Sequence, residues 1–146
     1  MSAPRCACGQ TTTGTVPADI RVLLVDDNDW VRSALNDLLS AEDDVTVIGE
    51  CRDGSQVVEA VARLRPDVVL MDLAMPVMDG LAATEALQDA RSDARVVMLT
   101  AEGPSAASRA TAAGADALVP KDAHPDALLR CLRTVVGDCH CCPHCL

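Results

Sequence analysis

The 146-residue sequence predicts an α/β fold: an open, doubly wound, five-stranded parallel sheet with helices on both faces. Three observations carry that prediction. Short apolar runs at 20–25, 45–48, 68–71, 96–99 and 115–119 start about 25 residues apart, the length of one strand plus one crossover helix. Most of these runs are continuous rather than alternating, as in strands covered on both sides. Each is followed by a stretch with helical spacing.

Taken in order, the first run leads into a helix whose apolar stripe is Val31, Leu35, Leu38 and Leu39, with Asn28 or Asp29 placed to cap it. The runs at 45–48 and 68–71 each precede a further helical stretch. The helix between Pro104 and Gly114 has only small candidates for its buried face, Ala106, Ala107, Ala110 and Ala113. At ~25 cal/mol per Å² such side chains contribute little, so this helix is expected to be the least firmly held. In the last helix Pro125 suits the first helical position, and Leu128, Cys131, Leu132, Val135 and Val136 form the apolar face.

This organisation leaves two flanks. Residues 1–19, rich in Thr, Gly and Ala without apolar period, read as a flexible N-terminal arm. Residues 20–136 form the domain, and 137–146 (GDCHCCPHCL) a Cys/His-rich C-terminal tail. Hydrophobic residues at 49% and charged residues at 23% are a globular balance. The formal charge of −10 argues against direct nucleic-acid binding. No apolar run approaches the ~20 residues of a membrane span, and Met1 to Thr15 lacks the apolar core of a secretory signal, so a soluble, cytoplasmic chain is expected.

In an open parallel sheet, ligands bind at the carboxyl ends of the strands. Those ends carry Asp26 and Asp27, Asp72, Thr100 and Lys121. Singly, each fits a helix cap, a turn or a solvated charge; jointly, their convergence on one edge points to a site. Lys121 is the only Lys among twelve basic residues, which marks a position where a compact ammonium is needed. Three carboxylates within a few Å repel by several kcal/mol at an effective dielectric of about 20. A divalent cation relieves that, and an all-oxygen set favours Mg²⁺. A carboxylate beside such a metal can attack a phosphoryl group and become an acyl phosphate. Lys121 and the metal then balance charge on the transferring group, to which Thr100 can donate a hydrogen bond.

The segments VLLVDDND, VVLMDLAMPVMDG (68–80), VVMLTA around Thr100 and GADALVPKD around Lys121 resemble the receiver domains of bacterial two-component response regulators. The similarity covers about 20–136 and is greatest to the subfamily usually joined to a helix-turn-helix output domain. It implies a flavodoxin-like fold and an Asp72 that accepts phosphate from the phosphohistidine of a sensor histidine kinase. It also implies Mg²⁺ held by Asp27, Asp72, the main-chain carbonyl of Ala74 and, through water, Asp26. By the same resemblance Thr100 and Lys121 carry signal and charge balance, and Met75, Pro76 and Gly80 form the turn after the phosphorylated strand. In the family the side chains at the positions of Ala74 and Glu102 shape the access of water: Ala74 leaves more room than a long side chain, and Glu102 either orients water or is simply solvated. The chain is then no enzyme with external turnover: it catalyses only its own phosphorylation and dephosphorylation. Its face around the fourth and fifth helices is expected to meet a downstream protein or a second copy.

The sequence departs from the family at Leu118, where an aromatic ring is usual, and at Asp122, where many relatives have Pro; Pro120 instead precedes the Lys. No output domain follows the fifth helix, so a stand-alone or truncated receiver is expected.

Asp27-Asn28-Asp29-Trp30-Val31 also fits D-x-D-x-[TV], the nucleophile motif of haloacid-dehalogenase-like phosphatases, with Asp27 as nucleophile and Asp29 as acid/base. The match is short, Asp29 should lie on a first helical turn, and the acids those enzymes need after a further strand are missing. Of the eight cysteines, Cys51 and Cys131 read as small core hydrophobes. Cys6, Cys8, Cys139, Cys141, Cys142 and Cys145, with His140 and His144, lie in the two flanks, which should emerge near each other opposite the acidic edge. They suffice for a tetrahedral Zn²⁺ site, the alternative being a tail without structural role.

Overall fold

A computed structural model describes residues 19–75, 77–137 and 146. Strands and helices alternate as β1 (Ile20–Val25), α1 (Asp29–Ser40), β2 (Val45–Cys51), α2 (Val57–Leu64), β3 (Val68–Asp72), α3 (Gly80–Asp89), β4 (Arg95–Thr100), α4 (Ala107–Ala113), β5 (Ala117–Pro120) and α5 (Pro125–Val136). All five strands are parallel, in the order β2-β1-β3-β4-β5. The chain winds outward from β1 to β2, then returns past β1 to β3. That reversal opens a crevice at the carboxyl ends of β1 and β3.

The continuous apolar runs follow from burial on both faces. Along β1, Ile20, Val22 and Leu24 join the core under α1 and α5, while Leu23 and Val25 join the core under α2, α3 and α4. Along β3, Val68 and Leu70 take the first side, and Val69 and Met71 the second. Every residue of β3 is buried. Being interior, this strand gives its last residue, Asp72, a fixed backbone.

Several boundaries differ from the sequence reading. β2 runs on to Cys51 through Gly49 and Glu50, and its register against β1 slips between Val22 and Leu23. As an edge strand it is only partly covered, so its polar residues do not interrupt it. In α1, Asn28 is the cap, its side chain accepting from the N–H groups of Trp30 and Val31, and Asp29 is the first helical residue. Only Leu39 of the predicted stripe is fully buried; Val31, Leu35 and Leu38 line a half-open valley between α1 and α5. α4 is entered through a 3₁₀ turn, Pro104–Ala106. Ala106, Ala110 and Ala113 are buried there, and Ala107 only partly. In α5, Leu128, Cys131, Leu132 and Val135 are buried as predicted; Val136 is half-buried and Leu129 joins the core.

Among the described residues no helix is long and apolar enough to cross a membrane. The predicted arm, up to residue 18, and tail residues 138–145 lie outside the described residues, and with them Cys6, Cys8, Cys139, Cys141, Cys142 and Cys145 and the proposed Zn²⁺ site. So does Pro76.

Candidate functional site

Asp26 and Asp27 occupy the step between β1 and α1. The Asp26 N–H donates to the Cys51 carbonyl of the neighbouring strand at 3.1 Å, and its Oδ1 accepts from the Asn28 N–H at 2.8 Å. Asp26 is buried and Asp27 exposed. Asp72 ends β3 and is also buried; its Oδ1 accepts from the N–H of exposed Ala74 at 3.3 Å. Thr100 ends β4, buried, with Oγ1 accepting from the Glu102 N–H at 2.8 Å. Lys121 follows β5, anchored by its N–H to the Thr100 carbonyl at 2.8 Å. Its Nζ lies 3.1 Å from Asp72 Oδ1 and 3.7 Å from Asp26 Oδ2.

Four strand ends thus bring the sequence-predicted residues to one edge, with a carboxylate oxygen from each of Asp26, Asp27 and Asp72 within 4.8 Å of the others. Two like charges at such a distance repel by about 4 kcal/mol at an effective dielectric of 20. Burial pushes the Asp26 carboxyl up from its ordinary range, and the neighbouring charges of Asp72 and Asp27 push the same way; the Asn28 N–H and the Lys121 ammonium oppose them. One ammonium is too little for three acids. Asp26 Oδ2 is buried without a hydrogen-bond partner among the described residues, an arrangement costly unless a cation or ordered water completes it. The donor set is all oxygen, and the residues present therefore fit a hard divalent cation such as Mg²⁺.

Gly80, which the resemblance places in the turn after the phosphorylated strand, is the first residue of α3, and its φ is not in the left-handed region. A Cβ at this position would lie 2.4 Å from the Asp72 carbonyl oxygen and 3.1 Å from Leu73 Cα, so close approach of the backbone requires glycine. Leu118 is buried in the core beneath α4 where a ring was missing from the sequence. The Lys121–Asp122 peptide is trans, as are all those described.

Two partners escaped the sequence reading. Glu102, for which the sequence allows a water-orienting or a solvated role, pairs with Arg109 of α4. Arg32, on α1, is buried and donates to the Asp26 carbonyl oxygen at 2.6 Å. It also pairs with Asp29, and that i, i+3 spacing was the signal available for finding it. Asp29 lies on the first helical turn, within 3.9 Å of Arg52 as well.

The profile of the response regulator receiver domain matches residues 22–133. A protein-glutamate methylesterase/protein-glutamine glutaminase of Nocardioides is 40% identical over 119 residues, covering 80% of this chain and 32% of that protein. The transcriptional regulatory protein LiaR of Bacillus subtilis is 48% identical over 81 residues, covering 56% of this chain and 38% of LiaR. The chain therefore spans about a third of the length of these relatives. Among solved structures, the response regulator domain of Thermotoga maritima CheB superposes with a TM-score of 0.75 at 30% identity, over 81% of this chain and 96% of that one. A LuxR-family two-component response regulator from Aurantimonas gives 0.79 at 29% identity, over 83% and 87%. With the flavodoxin-like sheet and the acids at its carboxyl edge, these matches make the chain a member of the response regulator receiver domain family.

Proposed function

We propose that the chain is a phosphorylation-controlled switch in which Asp72 accepts a phosphoryl group from the phosphohistidine of a sensor histidine kinase. The supporting observation is the charge pattern at the strand ends: Lys121 Nζ 3.1 Å from Asp72 Oδ1, beside a buried Asp26 oxygen without a hydrogen-bond partner among the described residues. Asp27, Asp72 and the Ala74 carbonyl would hold Mg²⁺, with Asp26 acting through water. When bound, the metal supplies positive charge to the phosphoryl oxygens.

Asp72 Oδ1 is engaged by Lys121 and the Ala74 N–H, which leaves the other carboxylate oxygen to attack. The new O–P bond forms as the P–N bond to the histidine breaks, and the imidazole leaves. Lys121 balances the charge added at Asp72. The Thr100 hydroxyl accepts from the Glu102 N–H and keeps its own proton to donate to the phosphoryl group. With Leu118 in place of a ring, readout runs through the Thr100 loop and the α4–α5 face, toward a downstream protein or a second copy. The chain acts on itself, in the cytoplasm, without binding nucleic acid or membrane; residues 20–136 carry the switch, flanked by the 1–19 arm and the 137–146 tail.

The phosphatase alternative loses its acid/base, because Asp29 is engaged by Arg32 and lies near Arg52. Incubation with acetyl phosphate and Mg²⁺, read by intact mass, tests the proposal. One phosphoryl adduct is expected on the wild type, none on Asp72→Asn, and slower uptake on Asp27→Ala. An adduct that survives Asp72→Asn but is lost with Asp27→Ala, or turnover of a phosphate monoester, overturns it.

A further inference from the structure

Arg32 is the one strongly buried cation among the described residues, with its side chain 9% exposed. Taking a guanidinium out of water is costly unless its donors are satisfied, and here they are. Nη1 donates to the Asp26 carbonyl oxygen at 2.6 Å, Nε to Glu50 Oε1 at 3.2 Å, and Nη2 to Asp29 Oδ1. The two carboxylates serve a different purpose from the carbonyl. Asp29 and Glu50 are half exposed or more and would be content in water; they hold the planar guanidinium in place from α1 and from edge strand β2. The carbonyl is what the fork is aimed at.

That carbonyl belongs to the peptide joining Asp26 to Asp27. Lying two residues before the α1 cap, it receives no bond from the helix ladder. The adjoining groups are already fixed: the Asp26 N–H by Cys51 and Asp26 Oδ1 by the Asn28 N–H. Without Arg32, the remaining freedom is rotation of the Asp26–Asp27 peptide plane, and that rotation carries the start of Asp27 with it.

We propose that Arg32 is a positioning residue for metal binding: by locking the Asp26–Asp27 peptide it holds Asp27 in the geometry that Asp26 and Asp72 require of it. This rests on the Mg²⁺ reading of the acidic cluster. Positioning and charge make opposite predictions. A guanidinium behind the acids repels a cation, so if only its charge mattered, removing it would tighten metal binding. If it positions, removing it loosens binding, as loss of an outer partner of a metal ligand does, by about 10-fold or more. Lysine keeps the charge but lacks the planar fork that reaches a carbonyl and two carboxylates together.

The test uses the full chain without phosphate, with Mn²⁺ counted by loss of its free-ion resonance and Mg²⁺ as competitor, well below the melting temperature. R32K and R32M are both expected to weaken Mn²⁺ and Mg²⁺ binding by about 10-fold. Tighter binding by R32M with unchanged R32K shows charge alone and overturns the proposal. Wild-type affinity in both, with only the melting temperature lowered, shows a merely structural role and overturns it as well. Should R32M not fold, R32K decides alone, because equal charge with wild-type affinity excludes positioning. A wild-type chain that takes up neither metal removes the acidic site as a metal site, and the role of Arg32 with it. Uptake by the wild type that is lost in Asp27→Ala keeps the two failures apart.

Discussion

Val77, in the loop between β3 and α3, has φ at 68° and is 88% exposed. A left-handed backbone brings a Cβ against the following carbonyl and costs roughly 1–2 kcal/mol, and a β-branched side chain has no way of easing that. At that exposure little packing among the described residues offsets the cost. Val77→Asn, a residue that tolerates this conformation, is expected to stabilise the chain by about 1 kcal/mol, read as a higher urea midpoint at an unchanged slope. Gly80 shows the reverse case. Its neighbour at 2.4 Å would be backbone, the Asp72 carbonyl, which cannot step aside as a side-chain tip could. Gly80→Ala is expected to destabilise by about 1–3 kcal/mol and, because the displaced atom belongs to Asp72, to slow phosphoryl uptake from acetyl phosphate. A thermal melt and the uptake rate check the two parts. At this scale Asp26, Asp72, Thr100 and Lys121 were legible in the sequence, since any parallel sheet gathers its strand ends. Arg32 and the reason for Gly80 were not: each depends on a backbone oxygen whose position only the folded chain fixes.

Two helices on opposite faces of the sheet differ in what holds them. α5 buries Leu128, Leu129, Cys131, Leu132 and Val135, whereas α4 buries only Ala110 and Ala113 and has no side-chain hydrogen bond at its N-cap. Apolar area sets the difference, at about 25 cal/mol per Å². Amide exchange is expected to reach α4 well before α5, and equal protection of the two would contradict this account. The alanine face was readable from spacing alone; the 3₁₀ entry was not, because it reflects how the chain leaves β4. At the far end of α5, Arg133 clips the helix to the segment before β2, with Nε 2.8 Å from Asp44 Oδ2 and Nη2 2.9 Å from Glu42 Oε1. The hydrogen-bonded guanidinium holds the Asp44 carboxyl below its ordinary 3.8. A lowered value in the folded chain means that the unfolded chain binds the proton more readily. The contribution is therefore complete above pH 3.8 and is lost as pH falls through the lower, folded value. Both groups are substantially exposed and screened, so Arg133→Met should cost about 0.5–1 kcal/mol at neutral pH. The deficit should shrink in acid and in high salt, as denaturant titrations would show.

Over the whole molecule the chain carries a formal charge of −10, and the fold concentrates three acids at one edge rather than dispersing them. That the sheet is parallel and covered on both faces was legible from the continuous apolar runs; the strand order was not, because such runs do not record which strands are neighbours. β2 was cut short in that reading because Gly49 and Glu50 look like a loop until the strand is seen to be an edge. Concentrated charge sets site against stability. Asp26 is raised chiefly by burial, then by Asp72, so the folded chain holds its proton more tightly than the unfolded one. This group's contribution is best in acid, from 3.8 downward, and declines as pH rises through the folded value, the opposite sense to Asp44. Asp26→Asn removes that buried charge and is expected to raise the melting temperature at neutral pH in a chelator, flattening the decline. The same change removes a carboxylate from the cation site. A ligand at a hundred times its dissociation constant stabilises by ~2.7 kcal/mol, so wild type should gain a melting shift with Mg²⁺ that Asp26→Asn largely lacks. Paired melts in chelator and in saturating Mg²⁺ read both effects. A variant less stable in chelator, with its Mg²⁺ shift intact, would mean that the acid edge is held by something other than the balance of charge described for it.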